Sequence, residues 1–423
     1  MTSTTTRPAR GTPEPAPRSG RGLAARVSLG RVFAPVPSEF LLIASTSLLL
    51  TGFGLVMVLS ATSAVGTANG DRPYEALFKQ AIFAAIGVPL MFVMSRFPVA
   101  FWKRVAWPAL IIATLGQMLV FTPLGYTNDG NRNWIVIGGL QAQPSEFLKL
   151  ALALWLGYVL FRKQTLLGLW RHVFIPVVPV AVAVIATVMA GHDLGTAMIL
   201  VLIVIAALFF SGVKLRIFII PLLLGLVGVA VLAVTSADRM RRIMSFLDPV
   251  CADYYDTCYQ PLHGIWGLAS GGVFGLGLGN SKQKYDWLPA AANDYIFAIV
   301  GEELGLIGCC LVLVLLALFA VGAFHIIRKT DDMFVRIVSG AIAIWIVGEA
   351  LLNIGVVLRL FPVLGVPLPF LSQGGTSLLS TLLACGVLLS FARSLPARAP
   401  ATPGAARLAT GRPAAGRRTD RTR

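Results

Sequence analysis

One aspartate in this chain of 423 residues stands where a polar segment gives way to a long apolar run. Asp294 follows the letters WLPAAAN and precedes YIFAIV, which places it at a boundary between water and membrane. A carboxylate in such a position can act as a general base toward a hydroxyl group. Asn293 or Asp294 can also cap a helix by accepting hydrogen bonds from the free N–H groups of its first turn. The two interpretations are compatible, since a capping carboxylate can also face a cleft.

A second set of charges lies inside apolar sequence. Glu302 and Glu303 follow Asp294 by eight and nine residues, which is about 12 Å along a helix. An ionisable group within a membrane span costs about 2.5–3.5 kcal/mol, so it marks a functional site or a buried pair by default. Other apolar segments offer polar partners at helical spacing, namely Glu146 with Lys149 and Glu349 with Asn353. We predict an internal polar network, and the sequence leaves open whether it is structural or part of a site.

Two polar turns and one broken segment add further candidates. The broken segment, FPVLGVPLPFLSQGGTS at 361–377, contains three prolines and three glycines, which exclude a regular helix. At membrane depth such a backbone is tolerated only against protein or a water-filled cavity, so we predict a re-entrant segment that lines a cavity. The turns are NDGNRNW and GHDLGT. The polar candidates in these three places are Asp129, Arg132, His192, Asp193, Ser372 and Gln373.

The sequence lacks the patterns of a metal or nucleotide site. The four histidines are far apart, and no two of them stand four residues apart as helical metal ligands do. The letters GLGLG at 275–279 do not follow a strand of a βαβ unit, so we interpret them as a flexible loop. A Walker A sequence is missing as well. We therefore expect no metal ligands and no ATP chemistry in this chain.

A series of apolar helices must position these residues. The chain is 56% hydrophobic and 13% charged, whereas soluble proteins are about 45–50% apolar and about 25% charged. A membrane-spanning helix needs about 20 apolar residues, and lipid requires its backbone groups to be satisfied internally. We predict an all-α polytopic membrane protein of about ten transmembrane helices, at about 40–61, 77–97, 100–123, 146–161, 172–190, 195–212, 216–235, 294–324, 335–358 and 376–394.

The distribution of charge predicts the orientation of these helices. The net charge is +16, and twelve of these charges lie in residues 1–38 and 393–423. Both ends, 1–38 and 395–423, are rich in Arg and Pro and are predicted to be disordered tails. Most basic residues of the short connections fall on the same side as these tails, so we place both termini in the cytoplasm. The basic charge therefore belongs to membrane-flanking segments, and we expect no nucleic-acid partner.

The connection between the seventh and eighth helices, residues 236–293, is far longer than the others. In this orientation it is extracytoplasmic. Long connections are uncommon unless they have a function, so we expect chemistry near it. Cys251 and Cys258 flank a polar stretch there, and an oxidising compartment would allow a local disulfide between them, a question that the sequence leaves open.

Seven motifs in this order resemble those of the SEDS family of bacterial cell-wall proteins. They are GLVMVLSAT at 54–62, GNRNW at 130–134, QPSEFLKLAL at 143–152, DLGT at 193–196, SGGVFGLGLGNSKQK at 270–284, LPAAANDYIFAIVGEELGLIG at 288–308, and NIGVV with GVPLPFLSQGGTS at 353–377. The resemblance covers nearly all of a membrane domain at 39–394. It implies a peptidoglycan glycosyltransferase that polymerises lipid II at the outer face of the bacterial cytoplasmic membrane.

The resemblance also implies residue roles. Asp294 corresponds to the family's essential acidic residue, which would deprotonate the acceptor hydroxyl. Central-cavity residues would be Glu146, Lys149 and Asp193, and the loop near the site would contain Ser372, Gln373 and Gly374. From charge and predicted side, we add Arg132, Lys282 and Lys284 as cations for the leaving pyrophosphate. The chain departs from the family pattern at Ala290, Ala292, Gln373, Asn133 and the pair Gly191–His192.

Several alternatives remain within and beyond this family. The opening motif and the Arg-rich tails favour the cell-division type (FtsW) over the elongation type (RodA). A lipid II flippase and a scaffold that recruits division proteins through the tails are the competing functions. We expect a class B penicillin-binding protein as the transpeptidase partner, together with other division-complex proteins. No cofactor is certain, although a divalent cation can accompany the pyrophosphate.

Overall fold

The computed structural model describes residues 37–68, 74–128, 131–137, 140–234, 237–248 and 254–395. Both predicted tails fall outside these ranges except for their inner one or two residues, and so do Asp129 and Cys251. Cys258, the second cysteine that flanks the polar stretch, is disulfide-bonded.

Ten apolar helices form at the positions predicted for the membrane spans. In the described part of the chain, eight of these helices are long and apolar enough to cross a membrane. The other two of the ten are Leu194–Phe210, with 17 residues, and Leu215–Val234, with 20 residues. Two further helices precede the eighth of these ten. In chain order the helices are α1 (Ser38–Ala68), α2 (Glu75–Met94), α3 (Val99–Met118), α4 (Pro144–Arg162), α5 (Trp170–Met189), α6 (Leu194–Phe210), α7 (Leu215–Val234), α8 (Ala237–Leu247), α9 (Tyr259–Gly271), α10 (Ile296–Lys329), α11 (Met333–Val357) and α12 (Gly375–Ser394).

Three of these helices form the centre of the membrane domain. The apolar windows of α4, α12 and α11 are 83%, 78% and 72% buried, whereas those of α2 and α3 are 28% and 22% buried. A helix that is apolar on all sides can pack against neighbours on all sides, and α4 does so around the fully buried Trp155. Charged side chains on α4 are consequently surrounded by protein.

A small antiparallel sheet connects α3 to α4, an element that the sequence did not predict. Its strands are β1 (Gly125–Asn128), β2 (Asn131–Ile137) and β3 (Leu140–Ala142), in the order β1-β2-β3. Ile135 in β2 pairs with Gly125 on one side and Ala142 on the other. The Arg132 N–H donates to the Gly191 carbonyl oxygen at 2.9 Å, so the sheet is attached to the turn between α5 and α6.

The glycine-rich segment after α9 packs into a break in α10. Gly305 interrupts α10 with φ 65° and ψ −162°, and the Leu276 N–H donates to the Glu302 carbonyl oxygen at 2.9 Å beside this break. A Cβ atom at Gly271 would lie 1.9 Å from the Gly301 carbonyl oxygen, so only glycine permits this approach of α9 to α10. Residues 275–279 form a loop, as interpreted, but it is held in place, because the N–H groups of Leu276 and Gly277 donate to carbonyl oxygens of α10.

Candidate active site

Asp294 lies on the turn that leads into α10. Its side chain is partly buried, and its Oδ2 atom would lie 3.7 Å from a Cβ atom built on Gly365 of the broken segment. The N-cap of α10 is Tyr295, which makes no capping bond through its side chain. The capping interpretation of Asn293 or Asp294 is therefore wrong. The Asp294 carboxylate faces the broken segment instead.

Three hydrogen bonds hold the Asp294 turn against the broken segment. The Ser372 hydroxyl donates to the Asn293 carbonyl oxygen at 2.6 Å, and the Gln373 N–H donates to the Ala292 carbonyl oxygen at 2.8 Å. The Asn353 amide donates to the carbonyl oxygens of Asp294 and Val366, both at 2.7 Å. All three bonds to the turn go to its backbone, so they fix the position of Asp294 without using its carboxylate.

The other side of the broken segment is held by α1 and α2. The Gly374 N–H donates to Gln80 Oε1 at 3.1 Å, and Gln80 Nε2 donates to the Ser372 carbonyl oxygen at 3.2 Å. Gly54 of α1 allows close contact, because a Cβ atom there would lie 2.2 Å from the Phe370 carbonyl oxygen. The prediction of an irregular segment is confirmed, since its residues 363–369 form no helix. Ser372, Gln373 and Gly374 all lie in its contacts with neighbouring elements.

The surroundings of Asp294 favour its protonated form. Burial and the nearby charge of Asp193 raise the pKa of Asp294 from 3.8 to about 6, and Arg242 on α8 opposes this rise. Asp193 is the N-cap of α6, where it accepts hydrogen bonds from the Thr196 N–H at 2.9 Å and from Gln143 Nε2 at 3.0 Å. Burial also raises the pKa of Asp193, although the bonds from Thr196 oppose that rise. A carboxyl whose pKa lies near neutral pH is suited to exchange protons with a substrate.

Two arginines that the sequence analysis did not select lie beside this turn. Arg242 and Arg359 line one narrow crevice between α8, the start of α9 and the end of α11. Their charges act on Tyr295, whose pKa is nevertheless raised because burial and Asp294 outweigh them. The sequence RMRR at 239–242 could have indicated Arg242, because it places arginines on the predicted extracytoplasmic segment.

Glu302 and Glu303 anchor the segment that follows the glycine-rich turn. Glu302 accepts the Ser281 hydroxyl and, at 3.0 Å, the Lys282 N–H. Glu303 pairs with Lys284 Nζ at 3.3 Å, and both of these side chains are at most 2% exposed. Lys282 is therefore held through its backbone and has an exposed side chain, whereas the side chain of Lys284 is buried and paired with Glu303.

A separate ionic cluster occupies the centre of the bundle. Lys149 Nζ lies 2.9 Å from Glu146 and 2.9 Å from Glu349, and no side chain of the three is more than 3% exposed. The Trp345 indole N–H and the Ser380 hydroxyl donate to these two glutamates at 2.6 and 3.1 Å. The predicted internal polar network thus consists of two parts. This cluster joins α4, α11 and α12, while Glu302 and Glu303 bind the extracytoplasmic segment.

The remaining predicted residues and two of the departures lie around the sheet. The Arg132 guanidinium donates to the carbonyl oxygens of Val120 and Thr122, both at 3.2 Å, so it holds β2 against the end of α3. A Cβ atom at Gly191 would lie 2.1 Å from Asn133 Oδ1. The departures at 133 and 191 therefore fit each other. Among the described residues there is no group of three or more His, Cys, Asp or Glu that could hold a metal ion.

Comparisons with known proteins identify relatives over most of the chain. A family described as "Cell cycle protein", which covers FtsW, RodA and SpoVE, matches residues 40–396. The probable peptidoglycan glycosyltransferase FtsW of Mycobacterium tuberculosis is 37% identical over 361 residues, which are 85% of this chain and 68% of that protein. Stage V sporulation protein E of Bacillus subtilis is 36% identical over 84% of this chain and 97% of its own length.

Solved structures show the same fold. The rod shape determining protein RodA of Thermus thermophilus has a TM-score of 0.63 at 23% identity, over 86% of this chain and 99% of its own. A chain of a peptidoglycan synthase complex that coordinates polymerization and crosslinking has a TM-score of 0.67 at 24% identity, over 83% of this chain and 97% of its own. The prediction of the all-helical membrane fold is confirmed.

Proposed function

The chain belongs to the cell cycle protein family of FtsW, RodA and SpoVE, and we propose that it is a peptidoglycan glycosyltransferase that polymerises lipid II for cell division. Two curated relatives that are 37% identical to this chain over 361 residues are named probable peptidoglycan glycosyltransferases. The single observation that supports the chemistry is the placement of Asp294. Hydrogen bonds fix the backbone of its turn, while its carboxylate faces the broken segment. Its pKa of about 6 allows it to accept a proton at neutral pH.

The proposed reaction forms one glycosidic bond and breaks one bond to phosphate. The ionised Asp294 takes the proton of the acceptor GlcNAc hydroxyl. The hydroxyl oxygen attacks the anomeric carbon of the donor lipid II, and undecaprenyl pyrophosphate leaves with the electron pair of the broken bond. Asp294 then releases its proton to water.

Cations of the 236–293 segment would stabilise the departing pyrophosphate. Lys282 is exposed and held by Glu302, while Arg242 adds a charge beside Asp294 itself. We assign to Arg132 and Lys284 the positioning of the sheet and of the 279–284 segment, because their charged groups contact protein atoms. A divalent cation enters this proposal only with the pyrophosphate of the substrate.

The cellular setting follows from the same proposal. The chain is a multi-pass membrane protein, and the distribution of its basic residues supports an outer position for Asp294 and cytoplasmic termini. The solved relative in a synthase complex supports a class B penicillin-binding protein as the partner that crosslinks the product. The division role is supported by the FtsW relatives, and an elongation role is the neighbouring alternative.

Complementation separates catalysis from recruitment. In a strain depleted of the wild-type protein, we expect Asp294→Ala not to restore division. Asp286 is an exposed carboxylate on the same segment, and Asp286→Asn should restore division at equal membrane abundance. Division restored by Asp294→Ala, but lost when residues 396–423 are removed, would contradict the enzyme and support the scaffold.

A flippase is the second candidate, because α10 is broken at Gly305 and a charged cluster lies in the bundle core. The test is lipid II scrambling in proteoliposomes. Scrambling that is lost in Lys149→Met at an equal amount of folded protein, and retained in Asp294→Ala, would favour transport over polymerisation.

A further inference from the structure

A cavity of about 440 Å³ opens at the end of the bundle opposite Asp294. Asp294 precedes the first turn of α10, and the cavity lies beyond the far end of this helix, where α11 begins. Its volume is within the range of about 300–1,000 Å³ that is typical of small-molecule sites. The walls come from the connection between α4 and α5, the turn between α6 and α7, and the first turn of α11, through Gln164, Thr165, Gly168, Ser211, Lys214 and Arg336 among others.

The charged residues of this cavity wall are both cations. Lys214 Nζ reaches toward the opposite wall, since it would lie 3.8 Å from a Cβ atom at Gly168. Arg336 Nε donates to the Phe210 carbonyl oxygen at 3.2 Å, which fixes the guanidinium at the cavity and occupies one of its five N–H donors. The nearby carboxylate of Asp332 is paired with Lys103 at 2.6 Å. The described lining residues include no Asp or Glu, so the cavity favours an anion.

The cavity lies at the level where lipid headgroups meet the protein. Its walls follow the ends of α4 and α6 and include the start of α11, and the ends of membrane spans lie at the headgroup layer. Trp170, in the adjoining connection, is 57% exposed and lies 5.5 Å from the Arg171 guanidinium. Exposed tryptophan beside arginine is typical of a membrane interface. Basic pockets between helices on the cytoplasmic side are known to bind acidic lipid headgroups.

We propose that this cavity binds the phosphate headgroup of an anionic phospholipid in the leaflet opposite Asp294. Lys214 and Arg336 contact the phosphate oxygens from two sides of the opening, while Gln164 and Thr165 offer neutral hydrogen bonds to the rest of the headgroup. Acyl chains extend along the neighbouring helices. A free phosphate ion shares the same chemistry, but the position at the headgroup level favours the lipid.

The test uses the full chain in phosphatidylcholine nanodiscs, titrated with phosphatidylglycerol or cardiolipin and read by native mass spectrometry. We expect retained anionic lipid to fall about fivefold for Lys214→Gln, since one basic group near the surface contributes about that factor, and to be kept in Lys214→Arg. Arg104→Gln, an exposed cation of α3 outside the cavity wall, should bind as the wild type does.

Two further arms distinguish lipid from free anion and guard against misfolding. Lys214 is exposed, so Lys214→Gln tests the site without a change in the core, whereas the double variant with Arg336→Gln should lower binding about another fivefold. The proposal would be overturned if Lys214→Gln and wild type retained equal amounts of anionic lipid. It would also be overturned if wild type retained added phosphatidylcholine as well as it retains anionic lipid. Competition by inorganic phosphate at concentrations similar to those of the lipid would also overturn it in favour of a soluble anion.

Discussion

Replacing Asp294 by asparagine should stabilise the fold while it removes the proposed base. The pKa of Asp294 is about 6 in the folded chain against 3.8 ordinarily, so the folded chain binds this proton more tightly than the unfolded chain does. Each tenfold change in proton affinity corresponds to about 1.4 kcal/mol, so ionising Asp294 costs the fold up to about 3 kcal/mol. The partial exposure of the side chain reduces this cost to about 1–2 kcal/mol.

The sign of this effect depends on pH. Below the ordinary pKa of 3.8 the carboxyl is neutral in both states, and the fold suffers no cost. As pH rises through about 6 the cost develops fully, so wild-type stability falls over this window. Asparagine has nearly the same shape and no charge. The bond from Asn353 goes to the backbone and is retained.

Thermal unfolding of the purified full chain, followed by tryptophan fluorescence, measures this difference. We expect the Tm of Asp294→Asn to exceed that of wild type well above pH 6 and the gain to disappear in acid. Asp331→Asn, an exposed carboxylate at the other end of the bundle, should leave the Tm unchanged. A Tm of Asp294→Asn at or below wild type above pH 6, or a gain independent of pH, would show that ionised Asp294 does not destabilise the fold.

Three further predictions concern the supports of the site. Gly54→Ala should reduce polymerisation at least about tenfold, because its Cβ would lie 2.2 Å from a carbonyl oxygen of the broken segment, whereas Gly52→Ala, with no atom within 4 Å, should retain activity. Arg242→Gln should move the rising limb of the pH–rate profile to higher pH, because Arg242 lowers the pKa of Asp294; a limb at the wild-type pH would contradict this. Lys149→Met should destabilise the chain by about 3–5 kcal/mol in denaturant unfolding, because it leaves two buried glutamates without their cation.

The sequence predicted those parts of the fold that depend on long, continuous patterns. The ten apolar runs became helices because a backbone in lipid has to satisfy its own hydrogen bonds. Asp294 stood out because it lies where a polar segment meets such a run, and Glu302 and Glu303 stood out because a charge inside a membrane span is costly. The broken segment was predictable from its prolines and glycines, since they exclude a helix wherever they occur together.

The remaining features depend on contacts between distant residues. Glu302 and Glu303 resembled possible partners of Lys149, but the fold brings Ser281 and Lys284 to them from about 20 residues away. The strands of the sheet have only four, seven and three residues, too few for a periodic pattern. Arg242 was missed because its nearness to Asp294 depends on where α8 packs.

In the proposed reaction, Asp294 is the base of lipid II polymerisation. The most direct measurement reconstitutes the full chain with its class B penicillin-binding protein, supplies lipid II, and resolves the glycan products on a gel well above pH 6. Unfolding measurements first establish that Asp294→Asn is folded. This variant should make glycan chains at least about a hundredfold more slowly than wild type, while Asp286→Asn keeps the wild-type rate. Chains made by Asp294→Asn at the wild-type rate would show that Asp294 is not the base.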